Sequence, residues 1–274
     1  MSHSRSEKFF TEGELQIMEE TYNKPGRFGS FAVIGRMFGV DDSVVKRQLV
    51  KRGIKLKSHQ ESNRSKQCDI NYFESIDTQE KAYWLGFLYA DGCIGEYKTY
   101  GKYLTLGLTD GEMVEEFKLA IKSDHPVKYR HRSGHAPFYS LKIGSKKLYE
   151  DLVNKGCIPK KTYNLHMPTR DQVPLELMGH FLRGFFDGDG CIHVSTKRQV
   201  LYASISVNQT FADDLCCFLF DKLGIQKNHN KNRSIRQIQM TGEKMYKFLD
   251  YIYKDATVFL ARKKNIYDKY RKDK

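Results

Sequence analysis

Apolar positions near the start of the chain recur at helical spacing. Leu15, Ile17, Met18 and Tyr22 form one short stripe, and Ala32, Val33, Ile34 and Phe38 form a second. Gly39 is suited to the left-handed turn that stops a helix, and Asp41, Asp42 or Ser43 can cap the next helix, over residues 44–52, which Gly53 ends. Further on the period changes to two. Leu104, Leu106 and Leu108 alternate with Tyr103, Thr105 and Thr109, and Leu201, Ala203, Ile205 and Val207 alternate in the same way. Helices are expected over 112–121 and 211–223, hairpins over 127–143 and 226–240, and closing helices over 146–155 and 243–255. This mixture predicts an α+β fold with antiparallel sheets.

The part of the chain that carries the strands is a repeat. Trp84-Leu-Gly-Phe-Leu-Tyr-Ala-Asp-Gly-Cys-Ile94 returns as Leu182-Arg-Gly-Phe-Phe-Asp-Gly-Asp-Gly-Cys-Ile192, 98 residues later. Each copy leads through the same order of elements, so two pseudo-symmetric halves are expected. Gly86 and Ala90, like Gly184 and Gly188, stand four apart and clear one helix face, so the two motif helices are expected to pack on each other.

Asp91 and Asp189 then fall at the negative ends of two helices brought together, where helix dipole and mutual repulsion both disfavour them. A divalent cation between the two would explain the pattern, since hard cations take oxygen ligands. Either Asp alone reads better as a solvent-facing residue before a helix-stop glycine.

The doubled motif resembles the paired signature of LAGLIDADG homing endonucleases, in the single-chain form with two halves. The resemblance covers residues 72–270. It implies that Asp91 and Asp189 bind catalytic Mg²⁺, two or three ions, with help from the carbonyls of Ala90 and Gly188. It implies polar residues at the end of the following strands, here Asp110 and Gln209, that order metal or water. It also implies basic residues near the site, here Lys161 and Lys263, with Lys160, Arg262 and Lys264 as neighbouring alternatives in register. Tyr89 departs from the pattern, since Asp187 occupies that place in the second copy. The activity implied is hydrolysis of both strands of a long DNA site across the minor groove, one strand per half, leaving short 3′ overhangs.

Alternation assigns a DNA-facing surface. Tyr103, Thr105, Lys128, Arg130, Arg132, Ser140 and Lys142 share one face in the first half, and Tyr202, Ser204, Ser206, Gln237 and Gln239 share one in the second. Such side chains read base edges in a major groove that admits a β-ribbon. At the start of the chain, helix, Gly turn and basic helix resemble a helix-turn-helix, with Lys46, Arg47 and Lys51 on the second helix and Lys55 and Lys57 beyond it as DNA contacts. The organisation expected is a small all-α helix-turn-helix module at 1–58, a basic linker at 59–70, and halves at 71–168 and 169–274.

Charge supports a polyanion partner: 46 Lys and Arg against 33 Asp and Glu give a formal +13. Hydrophobic residues make up 40 %, enough for a core and too many for wholesale disorder. The six cysteines form no CxxC pair and read as free, mostly buried thiols. His166, His180, His193 and His229 match no metal or triad spacing. No membrane-length apolar run is present, and residues 1–8 do not look like a secretory signal. The expected product is a monomeric, cytoplasmic protein, or an organellar or phage-encoded one. An RNA maturase and a non-cleaving DNA-binding regulator remain alternatives on the same fold.

Overall fold

The structure is a computed structural model and describes residues 9–24, 29–57, 66–97, 101–131, 133–161, 164–195, 200–232 and 235–272. Arg132 lies outside the described residues. The chain divides into two compact units, Met1–Cys68 and Asp69–Lys274. No helix among the described residues is long and apolar enough to cross a membrane.

The first unit holds α1 (Glu12–Asn23), α2 (Phe31–Phe38) and α3 (Asp42–Lys51). Thr11 caps α1 by accepting from the Glu14 amide, and the Glu14 carboxylate accepts from the Thr11 amide at 2.9 Å. Between α2 and α3, Gly39 takes φ 64°, which a side chain would strain. Met18, Tyr22, Ile34, Val45 and Leu49 form the core. Ile17, expected on the apolar stripe, is 49 % exposed. Met18 and Tyr22, four apart, define the buried side of α1, and Ile17 lies off it.

The second unit contains the repeat. Its first half runs α4 (Gln79–Asp91), β1 (Gly92–Tyr97), β2 (Gly101–Leu108), α5 (Gly111–Ala120), β3 (Lys128–Arg130), β4 (Phe138–Gly144) and α6 (Lys146–Asn154). The second half runs α7 (Met178–Asp189), β5 (Gly190–Val194), β6 (Leu201–Val207), α8 (Gln209–Leu223), β7 (Asn230–Asn232), β8 (Ile235–Thr241) and α9 (Gly242–Tyr253), after a 3₁₀ turn at Leu175–Leu177. Each half is a four-stranded sheet, in the orders β1-β2-β4-β3 and β5-β6-β8-β7, and every pairing is antiparallel. A final helix, α10 (Ala261–Lys272), is one the sequence pattern does not announce. Its Ala-Arg-Lys-Lys start has almost no apolar stripe, and it is seated through Lys263 and Tyr267.

The two motif helices, α4 and α7, lie face to face and are buried nearly all round. Residues 82–90 of α4 are all buried. A Cβ on Gly86 would overlap the Phe181 carbonyl, and one on Gly184 would overlap the Tyr83 carbonyl, in matching geometry. Backbone meets backbone at both crossings, which only glycine permits. Gly92 and Gly190 cap the ends of the two helices, as read from sequence, but with φ −70° and −76° rather than a left-handed turn, and they open the strands. They are small for lack of room: a Cβ on Gly92 would sit 2.6 Å from the Leu88 carbonyl.

The cysteines are free, but they are not mostly buried. Cys157 alone is buried, and Cys93, Cys191 and Cys217 are exposed. Cys93 and Cys191 each follow a motif glycine on the outward position of the first strand, which turns them away from the core.

Candidate active site and nucleic-acid interface

Asp91 and Asp189 are the last residues of α4 and α7, so the crossing that closes on Gly86 and Gly184 also brings them together. A Cβ on Gly188 would lie 3.0 Å from the Asp91 Oδ2, which places that carboxylate against the end of the opposite helix. Both carboxylates reach solvent, yet protein crowds each on most sides. Partial burial pushes the Asp91 carboxyl up, and Lys161, Lys263 and Arg262 offset this. Burial, then repulsion from Asp91, pushes Asp189 up to about 6.

Two lysines sit over the helix ends. Lys161 Nζ donates to the carbonyls of Leu88 at 2.7 Å and Ala90 at 2.6 Å. Lys263 Nζ donates to those of Phe186 at 2.6 Å, Asp187 at 2.8 Å, Gly188 at 3.4 Å and Gly190. The last carbonyls of each helix thus receive a cation, where the helix dipole favours one; those of Leu88 and Phe186 also accept the Gly92 and Gly190 amides. Lys263 is only 3 % exposed, and burial lowers its ammonium to about 8; burial also lowers that of Lys161. The neighbouring cations point elsewhere: Arg262 pairs with Asp110 at 3.3 Å and Lys264 with Asp268 at 2.7 Å, while Lys160 occupies a left-handed turn at φ 53°.

The Ala90 and Gly188 carbonyls, assigned to metal by resemblance, are therefore already acceptors for lysine. A carbonyl oxygen has a second lone pair, so this leaves each one further site. Two carboxylates and two carbonyls are a hard oxygen donor set, and the carboxylates repel each other as they stand, so the residues present fit a Mg²⁺-like cation. Among the described residues no group of three or more His, Cys, Asp and Glu side chains forms a metal cluster.

Asp110 and Gln209 each stand two residues past the second strand of their half, but in different surroundings. Asp110 immediately precedes α5 and adds to the field on Asp91, whereas Gln209 is the first residue of α8, which Asn208 caps by accepting from the Phe211 amide. Gln209 donates to Asp213 at 2.8 Å, contacts His229 and accepts from Arg236, all in its own half.

Register fixes the open face of each sheet. Cys93, Thr105 and Lys142 stand abreast, as do Gly107, Ser140 and Lys128, with Tyr103 and Arg130 on the same side. The opposite side carries the buried Leu104, Leu106, Leu141 and Ile143. Tyr97 and Tyr103 stack at 4.6 Å, and Lys142 Nζ stands 4.3 and 4.4 Å from the two rings. In the second half, Cys191, Ser204 and Gln239 stand abreast, as do Ser206, Gln237 and Asn230; Tyr202 stacks on His193 at 5.3 Å. Ser204 lies on the assigned face but is only 6 % exposed, a small side chain on the central strand between Cys191 and Gln239. In the first unit Lys46, Arg47, Lys51 and Lys55 are exposed. Lys57 turns inward instead: its ammonium stands 4.7 Å from the Tyr22 ring centre and donates to the carbonyls of Tyr22 and Lys24, tying the chain to the end of α1. Arg52 joins α3 to α1 through Glu12 at 2.7 Å and Glu19 at 3.4 Å.

Sequence reasoning missed the buried polar set behind Lys263. Asp187 accepts from Tyr83 and Tyr253 hydroxyls, both at 3.0 Å, and from the Leu260 amide at 2.7 Å. The available signal was Asp187 itself, an acid one turn after Arg183 in an otherwise apolar helix.

The repulsion at the Asp pair has a measurable consequence. With Asp189 raised to about 6 from 3.8, the folded state holds more protons across that window. Stability therefore falls as pH rises through it, and the cost is complete above it. Asp189→Asn should be more stable than the parent at about pH 8 in chelator, by under about 1 kcal/mol after solvent screening, and equal to it near pH 4. Denaturant melts at the two pH values check this; an equal difference at both would contradict it.

Residues 176–253 match the family model described as a LAGLIDADG-like domain. An uncharacterized protein of Methanocaldococcus jannaschii, MJ0314, is 24 % identical over 194 residues, spanning 66 % of this chain and 68 % of that protein. Among solved structures, the homing endonuclease I-WcaI bound to its DNA recognition sequence aligns with a TM-score of 0.53 at 12 % identity, over 71 % of this chain and 89 % of that one. The meganuclease I-SmaMI, bound to uncleavable DNA, aligns at 0.47 and 12 %, over 68 % and 87 %. The chain thus carries a LAGLIDADG-like domain, built on the α+β, antiparallel-sheet fold of the LAGLIDADG homing endonucleases.

Proposed function

We propose that the chain is a site-specific endonuclease that hydrolyses both strands of a long double-stranded DNA site with a divalent cation. The observation that carries this reading is the Asp91–Asp189 pair, forced together by glycine-to-backbone packing, with a lysine at each helix end. Such a cost in repulsion is hard to account for in a purely structural helix crossing. Because β1 and β5 start at the residues after the two carboxylates, a duplex lying on both open sheet faces would cross the pair midway.

In this reading Asp91 and Asp189, with the Ala90 and Gly188 carbonyls, hold Mg²⁺, which when bound supplies positive charge to the phosphate under attack. Lys161 and Lys263 fix the helix ends that carry the carboxylates and add charge beside the phosphate. Tyr103, Thr105, Lys128, Arg130, Arg132, Ser140 and Lys142 contact one half-site, and Tyr202, Ser206, Gln237 and Gln239 the other, through base edges and phosphates. Asp110 and Gln209 stand at the margins of the site. Incubation with a random duplex library and Mg²⁺, followed by sequencing of the cut ends, tests the reading. Recurrent ends sharing a flanking sequence are expected; a library left whole overturns it.

The three helices of the first unit form, in the same proposal, a helix-turn-helix that reads DNA beyond the cut, with Lys46, Arg47 and Lys51 on α3 and Lys55 after it. A chain starting at Asn71 should cut at the same position, need lower salt or more protein, and protect a footprint shortened at one end only. Each lost phosphate contact should lower the log–log salt slope by roughly 0.9. Footprints of both proteins side by side check this: coincident footprints and equal slopes would leave the helices without a DNA role.

A further inference from the structure

The two lysines over the helix ends are held by different machinery. In the first half, the segment that delivers Lys161 is fastened by the Tyr89 hydroxyl, which donates to the Lys155 carbonyl at 2.6 Å, and by the Gln172 amide on the Asn154 carbonyl at 2.9 Å. In the second half two buried charged side chains, Arg183 and Asp187, take over. Arg183 Nε donates to the Val258 carbonyl at 2.8 Å, and its Nη1 to the Ile252 carbonyl at 2.9 Å. One turn later Asp187 takes the Leu260 amide at 2.7 Å and the Tyr253 hydroxyl at 3.0 Å. Leu260 in turn accepts from the Lys263 amide at 3.0 Å, at the start of α10. Arg183 and Asp187 are 0 % and 1 % exposed. The same places in the first motif hold Leu85 and Tyr89.

A buried charged side chain is a poor source of stability but fixes geometry, because each unmet bond inside protein is costly. Every hydrogen bond of these two side chains, apart from those to Tyr83 and His180, goes to the stretch 252–260 that leads into Lys263. We propose that Arg183 and Asp187 are positioning residues for Lys263, so that the two reaction centres are built with different stiffness and can be disabled one at a time. The catalytic consequence rests on the nuclease reading above; the positioning itself does not.

Two measurements on the full chain separate these. The first is acylation of lysines by an amine-reactive ester, followed residue by residue by mass spectrometry. In the parent, Lys263 should react slowly. In Asp187→Asn its rate should rise about tenfold, the size expected for loss of a buried hydrogen bond to a charged group, while Lys161 stays within about twofold. Tyr253→Phe removes one bond to Asp187 without touching charge and should move Lys263 in the same direction, by less. Arg183→Leu installs the residue of the first motif and should free Lys263 as well. An unchanged Lys263 in all three overturns the proposal. So does an equal rise at Lys161, which would make Asp187 a general fold-keeper.

The second measurement is cleavage of a duplex labelled separately on each strand. Asp187→Asn should leave nicked DNA, with one strand cut about tenfold more slowly and the other at the parental rate. Equal slowing of both strands overturns the separate control of the two centres. If the parent cuts neither strand, the nuclease reading fails, and the acylation pattern still decides whether Arg183 and Asp187 position Lys263.

Discussion

Asp91→Asn, or Asp189→Asn, should abolish double-strand cleavage while duplex binding stays within a few-fold of the parent. Asn keeps the size of the side chain and one oxygen but removes the charge on which cation binding depends. If the cation contributes several kcal/mol to stabilising the phosphate under attack, the rate falls about a thousandfold or more. In the proposed reading, affinity rests on phosphate and groove contacts spread over the sheets, so it should barely change. The same variants carry a readout that needs no DNA. Mg²⁺ at about a hundred times its dissociation constant should raise the stability of the parent by roughly 2.7 kcal/mol, and chelation should reverse this. Neither variant should respond to that extent. Full cutting by Asp91→Asn in Mg²⁺, or an equal thermal response in parent and variants, would remove both carboxylates from the cation site.

Gly184→Leu should unfold the second unit or cost it at least about 3 kcal/mol. Overpacking of an ordinary core position costs about 1–3 kcal/mol because side chains can shift. Here the atom met first is the carbonyl oxygen of Tyr83, followed by its carbon at 2.8 Å and the Phe87 amide nitrogen at 2.9 Å, and backbone in a helix cannot move aside. Gly86→Leu meets the Phe181 carbonyl and the Phe185 amide in the same way and should match it. Because the crossing also brings Asp91 and Asp189 together, any folded remnant should lose Mg²⁺ stabilisation as well. Thermal and denaturant melts with and without Mg²⁺ check this. A melting temperature within a degree of the parent would mean that the two helices need not touch.

The repeat explains why so much was legible in one dimension. A glycine wherever two helix backbones meet, and an acid at the last turn of each, are local requirements, so both appear twice in the sequence at a fixed step. Period-two alternation fixed which side of each strand faces the core, because a side chain on a strand has only two directions to take. Leu104 and Leu106 went inward and Thr105 outward for that reason. Residues 176–253, the part that matches a family model, are also where the second motif carries both acids, Asp187 and Asp189.

What the sequence determined by itself was the pairing: two halves, two motif helices, two carboxylates and a basic surface. The tertiary structure decided which groups serve those carboxylates. Among Lys160, Lys161, Arg262, Lys263 and Lys264, adjacency along the chain cannot say which ammonium reaches a helix end some 70 residues away; only the path of the loop does, and it selects Lys161 and Lys263. The same holds for Lys57, whose charge suggested DNA and whose position turns it onto Tyr22. It holds for Asp187, whose counterpart Tyr89 is the departure from the pattern in sequence and which becomes the anchor of residues 252–260 in space. Periodicity reports on a residue's own element. A hydrogen bond between groups distant in the chain depends on how elements pack, and that information is spread over the whole core.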